Sequence, residues 1–563
     1  MRIIIFVCFL YYTINLNAQL KYPTNYFGNP LEIESVLSGT FAELRSNHFH
    51  AGLDIKTQQK EGLKVFATAE GHISRIKISP WGYGKAIYIA HPNGYTTVYG
   101  HLKRFTPEIE SYIKKAQYKQ EKFAIELFPS KDILNVSKNE LIAYSGNTGG
   151  SGGPHLHYEI RDSSQHPMNP MLFGYQIKDT SKPFVKSVYA YSLSDSSQIN
   201  NHNDKIKLKL TKTKDGNYIA ETIYANGEIG FGVSCYDKQD LAYNKNGVYN
   251  IKTFINGTLN YELDFKKFSF KESRHLNQLI DYNFYKKNKV KIQKLYKNKT
   301  NPLSIIKNAE NYGKIKIRDG EQINYKITIS DFNKNSRTVT IPIIGENRKI
   351  THFKEKIDSD YYVYVNKELN LNNDNKQVYI PKNAMYDDSP ILFKTIGDTI
   401  HIGEKTQPLH KNITLTFDIE KYKTEDRNKL YISSLGNNNK PYYITTYKKN
   451  DKIIGKTKSF GKFTLTSDIT SPVIKPINTH DGKWMSKANL LQMKISDKNS
   501  GIKKYRGTIN GKWVLMEYDA KKNLLSYNFL DKIHKSGENK FKLIVIDNVG
   551  NNSIFEMTFF RKN

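Results

Sequence analysis

Three short segments of this 563-residue chain carry side chains whose types and spacing could do chemistry. They are His48-Phe49-His50-Ala51-Gly52-Leu53-Asp54, then Tyr99-Gly100-His101-Leu102, then Gly152-Gly153-Pro154-His155-Leu156-His157-Tyr158-Glu159. A catalytic zinc takes three protein ligands, usually His nitrogen or carboxylate oxygen at about 2.0–2.2 Å, and keeps a fourth position open for water. His50, Asp54 and His157 could supply such a set. On a straight strand, residues four apart are separated by about 13 Å, so His50 and Asp54 can share an ion only if the chain bends at Ala51-Gly52, where glycine permits it. His155 and His157 are two apart, so on a strand both project from one face and can share a site. One can then bind metal while the other works. His48 shares parity with His50 and competes with it as a ligand.

These segments have to be held by strands. Between about residues 25 and 178 the sequence runs in short alternating or apolar stretches broken by glycine turns: Leu63 to Ala69, Ile73 to Ile78, Ala86 to Ala90, Tyr95 to Tyr99, Leu141 to Ser145 and His155 to Ile160. They are expected to form one antiparallel sheet system. Pro92-Asn93-Gly94 is a hairpin turn between the third and fourth stretches. A helix over 107–117 is expected, because Thr106 can cap it, Pro107 suits its first position, and Glu108 and Glu110 lie near the positive end of its dipole. Tyr99 lies two before His101 and could share its face, offering a hydroxyl to a transition state, or could pack as a strand tyrosine. Glu159 shares parity with His157 and could orient that ring, or pair with Arg161 or a lysine. His72 and His91 flank turns and are expected in solvent. The Gly149 to Gly153 loop is expected to let backbone amides approach an extended peptide.

At these residues the chain resembles the LytM/lysostaphin-type zinc metallopeptidases, family M23. The resemblance covers about residues 40–175, including Gly82-Tyr83-Gly84 and Ser145-Gly146-Asn147-Thr148-Gly149-Gly150. It implies one zinc ion per catalytic domain, held by His50, Asp54 and His157, with His101 and His155 as the catalytic histidines. It also implies a mainly β fold with an antiparallel, duplicated-hybrid-motif-like peptidase domain, and cleavage of stem or cross-bridge peptide bonds in peptidoglycan. Zinc draws the pKa of bound water towards about 7 and polarises a carbonyl. One of His101 and His155 could take the proton and return it to the leaving amine, while the other, if protonated, stabilises the oxyanion; the sequence does not decide which.

Beyond residue 178 the texture changes to Lys/Asn-rich sequence with short β-branched and aromatic runs, and a weak repeat emerges. Asp179-Thr180-Ser181-Lys182-Pro183-Phe184-Val185 is echoed by Asp468-Ile469-Thr470-Ser471-Pro472-Val473-Ile474. Each opening is followed by an Asn-Gly turn, at Asn256-Gly257 and Asn510-Gly511, and each unit ends in an Asp-centred turn, at Asp331 and Asp547. Immunoglobulin-like sandwiches are expected at 179–345, with a helical insertion, and at 468–563, flanking a β domain of unknown role at 346–467. Neither repeat shows a ligand motif. The stretch from about 272 to 308 reads as helical or irregular.

The first 18 residues have Arg2, an apolar run from Ile3 to Tyr12 and Leu16-Asn17-Ala18, the pattern of a cleaved signal peptide. The run is short of the ~20 apolar residues of a spanning helix, so an exported protein with no stable membrane span is expected, in the periplasm, at the cell surface or outside. Cys235 is then the only cysteine after the leader, which excludes an internal disulfide. The net charge of +31 favours contact with an anionic envelope surface through the tail; the lysines are scattered, not clustered, which argues against nucleic acid as a partner. Peptidoglycan is the expected partner. Two other functions compete: a catalytically inactive LytM-type regulator of other wall hydrolases, and a surface adhesin whose tail is the main functional part. Control by the tail folding over the groove is a further expectation.

Overall fold

The computed structural model describes residues 22–355 and 358–562; the expected leader lies outside the described residues. The chain is mainly β. In the N-terminal part the strands are β1 (Leu37–Gly39), β2 (Leu53–Lys56), β3 (Lys64–Phe66), β4 (Gly71–Ile78), β5 (Lys85–Ala90), β6 (Thr96–Leu102), β7 (Arg104–Phe105), β8 (Ile125–Leu127), β9 (Asn135–Val136), β10 (Leu141–Tyr144), β11 (His155–Arg161) and β12 (Pro167–Met168), with helix α1 (Pro107–Gln120) after β7.

These strands form two sheets where one was expected. The larger runs β1-β2-β11-β6-β5-β4-β8, and the smaller runs β3-β10-β7. The division has a local cause at His101, whose φ of +59° lies in the left-handed region that a non-glycine residue seldom enters. Between the pairs Ile87↔Tyr99 and Lys85↔Leu102 the register slips by one residue, so β6 carries a bulge there. Bulges bend a strand, and the continuation β7 leaves the large sheet to pair with β10.

The expected turn between β5 and β6 is present, with the Gly94 amide donating to the His91 carbonyl at 3.0 Å. The helix starts at Pro107 as expected and runs three residues further, to Gln120. Thr106 caps it with backbone alone; the Glu110 carboxylate instead accepts from the Phe105 amide at 3.2 Å. Ile109, Ile113 and Gln117 are its buried face.

Strand β11 lies between β2 and β6. Gly52, just before β2, fits here because a Cβ would lie 2.2 Å from the Tyr158 carbonyl oxygen on β11. The glycine of the H-x-G-x-D segment is therefore demanded by close approach as well as by the bend. Gly52→Ala is expected to cost about 1–3 kcal/mol through overpacking against backbone, measured as a lower denaturant midpoint; an unchanged midpoint would contradict this account.

Behind residue 178 the apolar core continues. One cluster of buried side chains extends from Leu31 to Ile343, and Phe41 and Phe49 meet Phe268 at ring-centroid distances of 5.3 and 5.4 Å. The following 15-stranded system is centred on the long strand Ile223–Tyr236. Its excursion from 273 to 288 contains two short α-helical segments, Leu276–Leu279 and Tyr282–Asn288. Two five-stranded sheets share a second core from Val363 to Phe463. A four-stranded and a five-stranded sheet share a third, from Met485 to Phe559. This last unit docks back on the N-terminal one: Lys114 reaches Asp531 at 2.6 Å and Trp513 meets the Tyr118 ring at 5.2 Å. Among the described residues no helix is long and apolar enough to cross a membrane.

Candidate metal centre and active site

His50 arrives on the turn before β2, Asp54 on β2 and His157 on β11, whose pairing places His157 directly opposite Asp54. The three converge. His50 Nε2 is 2.9 Å from Asp54 Oδ1 and 3.1 Å from His157 Nδ1, and His157 Nδ1 is 2.9 Å from the same Asp54 oxygen. All three residues are buried.

The outer partners fix which ring nitrogens face inward. His50 Nδ1 donates to the Thr40 carbonyl at 2.8 Å, which leaves Nε2 with its lone pair. His157 Nε2 donates to Glu159 Oε1 at 2.8 Å, which leaves Nδ1 with its lone pair. Two lone pairs and a carboxylate oxygen thus point at one another, an arrangement of acceptors that a cation satisfies. The nitrogen and oxygen donors suit zinc, and three protein ligands match a catalytic rather than a structural site. Arg45 Nη2 holds the second Asp54 oxygen at 2.7 Å.

Glu159 has no exposed side-chain surface. It accepts from His157, from Arg161 Nε at 2.6 Å and from the Tyr83 hydroxyl. Against the cost of burial, Arg161 and His157 pull it down to about 2. It is an orienting carboxylate, and Arg161 pairs with it at the same time. Glu159→Gln is expected to weaken metal affinity about 10- to 100-fold, read by competition with a chelating dye; unchanged affinity would remove that role.

His155 and His101 border these three residues. His155 Nε2 is 3.4 Å from Asp54 Oδ1, and its Nδ1 lies 2.9 Å from the Gly153 carbonyl. The His101 ring stands 4.7 Å from that of His155 and 5.8 Å from that of His157. Its Nδ1 donates to the Thr148 carbonyl at 2.8 Å. Burial, with the adjoining His157 and His155, pushes His101 down to about 3, so it is neutral at ordinary pH.

Tyr99 does not join them. It pairs with Tyr158, on the face opposite His157, and its fully buried hydroxyl meets Thr68 Oγ1 at 2.9 Å. The bulge breaks the alternation between Tyr99 and His101, so two residues apart no longer means the same side. The tyrosine at the site is Tyr83, stacked on His157 at 4.8 Å. His48 lies on the cleft wall, exposed, with Nδ1 3.0 Å from Asn47 Oδ1. His91, expected in solvent, is buried between the Glu70 carbonyl and Thr97.

The glycine loop is divided in use. Gly149 and Gly84 both have positive φ and sit so close that a Cβ on Gly149 would be 2.3 Å from the Gly84 nitrogen. They lock the loop to the Tyr83 turn. Gly152 and Gly153 have open space around their Cα atoms, leaving room beside His155.

Residues far along the chain complete the cleft. A cleft of about 330 Å³ beside His50 and His157 is walled by Phe270, Ser273 and Arg274, and the Phe49 amide donates to Ser273 Oγ at 2.8 Å. On the other side Lys521 donates to the Ser151 carbonyl at 3.0 Å and to Asn147 Oδ1 at 3.1 Å. Glu517 pairs with the buried Lys85 at 3.0 Å.

Residues 48–118 match Peptidase family M23, and residues 360–468 match a Zu5-like domain. The DD-carboxypeptidase/endopeptidase Mpg of Neisseria meningitidis serogroup B is 37% identical over 128 residues, 23% of either chain. The peptidoglycan DD-endopeptidase ShyA of Vibrio cholerae is 31% identical over 99 residues, 18% of this chain and 17% of that one. The chain thus spans about a quarter or less of the curated relatives it matches. Among solved structures, a zinc containing peptidase from Vibrio cholerae is 22% identical with a TM-score of 0.20, covering 27% of this chain and 41% of that one. The catalytic domain of lysostaphin from Staphylococcus simulans is also 22% identical, with a TM-score of 0.18, covering 24% and 87%.

Proposed function

We propose that this chain, which carries a Peptidase family M23 domain ahead of a β-rich C-terminal region, is an exported zinc metalloendopeptidase that hydrolyses peptide cross-links or stem peptides of peptidoglycan. The observation that carries the reading is the convergence of His50 Nε2, His157 Nδ1 and Asp54 Oδ1, with both rings oriented by acceptors behind them. A periplasmic or cell-surface location goes with that substrate, and with the leader pattern at residues 1–18.

His50, Asp54 and His157 would hold the zinc, which supplies a hydroxide-like water near neutral pH and a Lewis acid for the scissile carbonyl. Around it the side chains divide the proton work. His101, held neutral and tied through Nδ1 to Thr148, keeps its Nε2 lone pair free to orient a water proton. His155, partly exposed at the mouth of the open Gly152-Gly153 segment, is placed to hold a proton at Nε2 and deliver it to the leaving amine. Tyr83 stacks on one face of His157, and Phe270 lines the cleft beside it.

The test is release of soluble peptides from purified cross-linked peptidoglycan by the full chain. Cleavage should stop with a zinc chelator and return with added zinc, and the products identify the bond. A protein holding one zinc per chain that releases nothing from several wall types would send the assignment to another peptide substrate or to a regulatory role.

A further inference from the structure

The two halves of the weak repeat each draw three aspartates together. Carboxylate oxygens of Asp179, Asp237 and Asp331 lie within 4.8 Å of one another, and so do those of Asp468, Asp497 and Asp547. The frames around them correspond. Asn335 Nδ2 donates to the Asp179 carbonyl at 3.1 Å and to Asp331 Oδ2 at 2.7 Å. Asn551 Nδ2 does the same to the Asp468 carbonyl at 2.8 Å and Asp547 Oδ2 at 2.7 Å. Among the described residues none of these six aspartates has a salt bridge, in a chain with 85 Lys and Arg against 54 Asp and Glu.

The two groups differ in how their oxygens are satisfied. Backbone amides of Ser181 and Asn335 donate to Asp179 and Asp331 in the first, as those of Thr470 and Asn551 do to Asp468 and Asp547 in the second, but the second adds the amides of Ser500 on Asp468 and Gly501 on Asp497. In the first, Asp237 is 3% exposed and its Oδ1 has no hydrogen-bond partner. A buried carboxylate with an unpartnered oxygen, beside two more carboxylates, is costly unless a proton or a cation neutralises it. Burial, reinforced by Asp179 and Asp331, pushes the Asp237 carboxyl up to about 8. A void of about 30 Å³ touches all three aspartates, with Thr40, Gln239 and Asn333 and the apolar side chains of Phe41, Met171 and Phe332 on its other sides, and a single water needs roughly 10–15 Å³.

We propose that Asp179, Asp237 and Asp331 bind one hard divalent cation of the calcium type where the N-terminal unit meets the first tail unit. The donors are all oxygen, with neither imidazole nor thiolate among them, which favours calcium over zinc or copper. Carboxylates from three separated segments, at 179, 237 and 331, are clipped together by the one ion. The site borders Thr40, whose carbonyl accepts from His50 Nδ1, and shares no residue with the group of His50, Asp54 and His157.

The probe is calcium ion alone, titrated calorimetrically into the zinc-loaded full chain after treatment with a calcium-selective chelator, beside Asp237→Asn and Asp497→Asn. The native chain should bind calcium, and saturation should raise its melting temperature by about 2–4 °C. Asp237→Asn removes the unpartnered carboxyl from the trio and should fold at least as well in calcium-free buffer, yet lose both the heat of binding and the thermal gain. Asp497→Asn, at the matching place in the other repeat, should keep both. No calcium binding by the native chain, or equal binding and equal thermal gain in native protein and Asp237→Asn, overturns the proposal.

Discussion

Asp54→Ala is expected to lose its zinc and, with it, peptide release from peptidoglycan by about 10³-fold or more, the size of effect that follows when a metal worth several kcal/mol to the transition state is gone. Asp54 contributes the oxygen that both ligand histidines face, at 2.9 Å from each. Without it two imidazole lone pairs remain 3.1 Å apart, and two nitrogens bind zinc far less well than the full set. Arg45 would also lose its partner at 2.7 Å, so far-ultraviolet circular dichroism should accompany the metal analysis. A folded Asp54→Ala protein that retains one zinc per chain and native turnover would refute the ligand assignment.

The second large effect separates binding from proton transfer. His155→Ala should keep its zinc while kcat falls by about 10²- to 10⁴-fold, the range for a positioned acid or base, with KM little altered. His101 calls for a different substitution. Its φ is +59°, a conformation that asparagine tolerates and alanine resists, so His101→Asn removes the imidazole with the bulge intact. It too should retain zinc and lose turnover. Native kcat in His155→Ala would take the proton-delivery role away from that residue, and zinc loss in either variant would show that the ring serves the metal.

The site was legible in the sequence wherever local geometry is regular. Strand β11 is straight, so parity correctly placed His155, His157 and Glu159 on one face. The same rule failed at Tyr99 and His101, because the bulge between them inverts parity and nothing in Tyr99-Gly100-His101 announces a left-handed histidine. Tyr83 was quoted only as part of a glycine-flanked turn; its contact with Glu159 depends on tertiary packing. The wall made by Phe270, Ser273 and Arg274 was invisible for a related reason: 224 residues separate Phe49 from Ser273, and no periodicity reports such a contact. In the tail, the recurring openings and closing turns marked four of the six grouped aspartates. Asp237 and Asp497 lie inside their repeats without a motif, so a sequence that shows no ligand motif in either repeat does not reveal that three aspartates converge in each.

The contacts of Lys521 with Asn147 and Ser151 span 374 and 370 residues of chain. A ribosome adds residues one at a time from the N-terminus, so the side chains of the cleft exist long before Lys521 and Glu517 do. The wall at Phe270 to Arg274 comes next, and the grip on the glycine loop follows only once Glu517 and Lys521 have been made. During that interval the loop beside His155 is held by contacts within the N-terminal unit, its turn against Gly84 and the Thr148 carbonyl on His101. The rim is therefore assembled late: a polypeptide cut short before residue 517 carries His50, Asp54, His157, His101 and His155, but neither Glu517 nor Lys521.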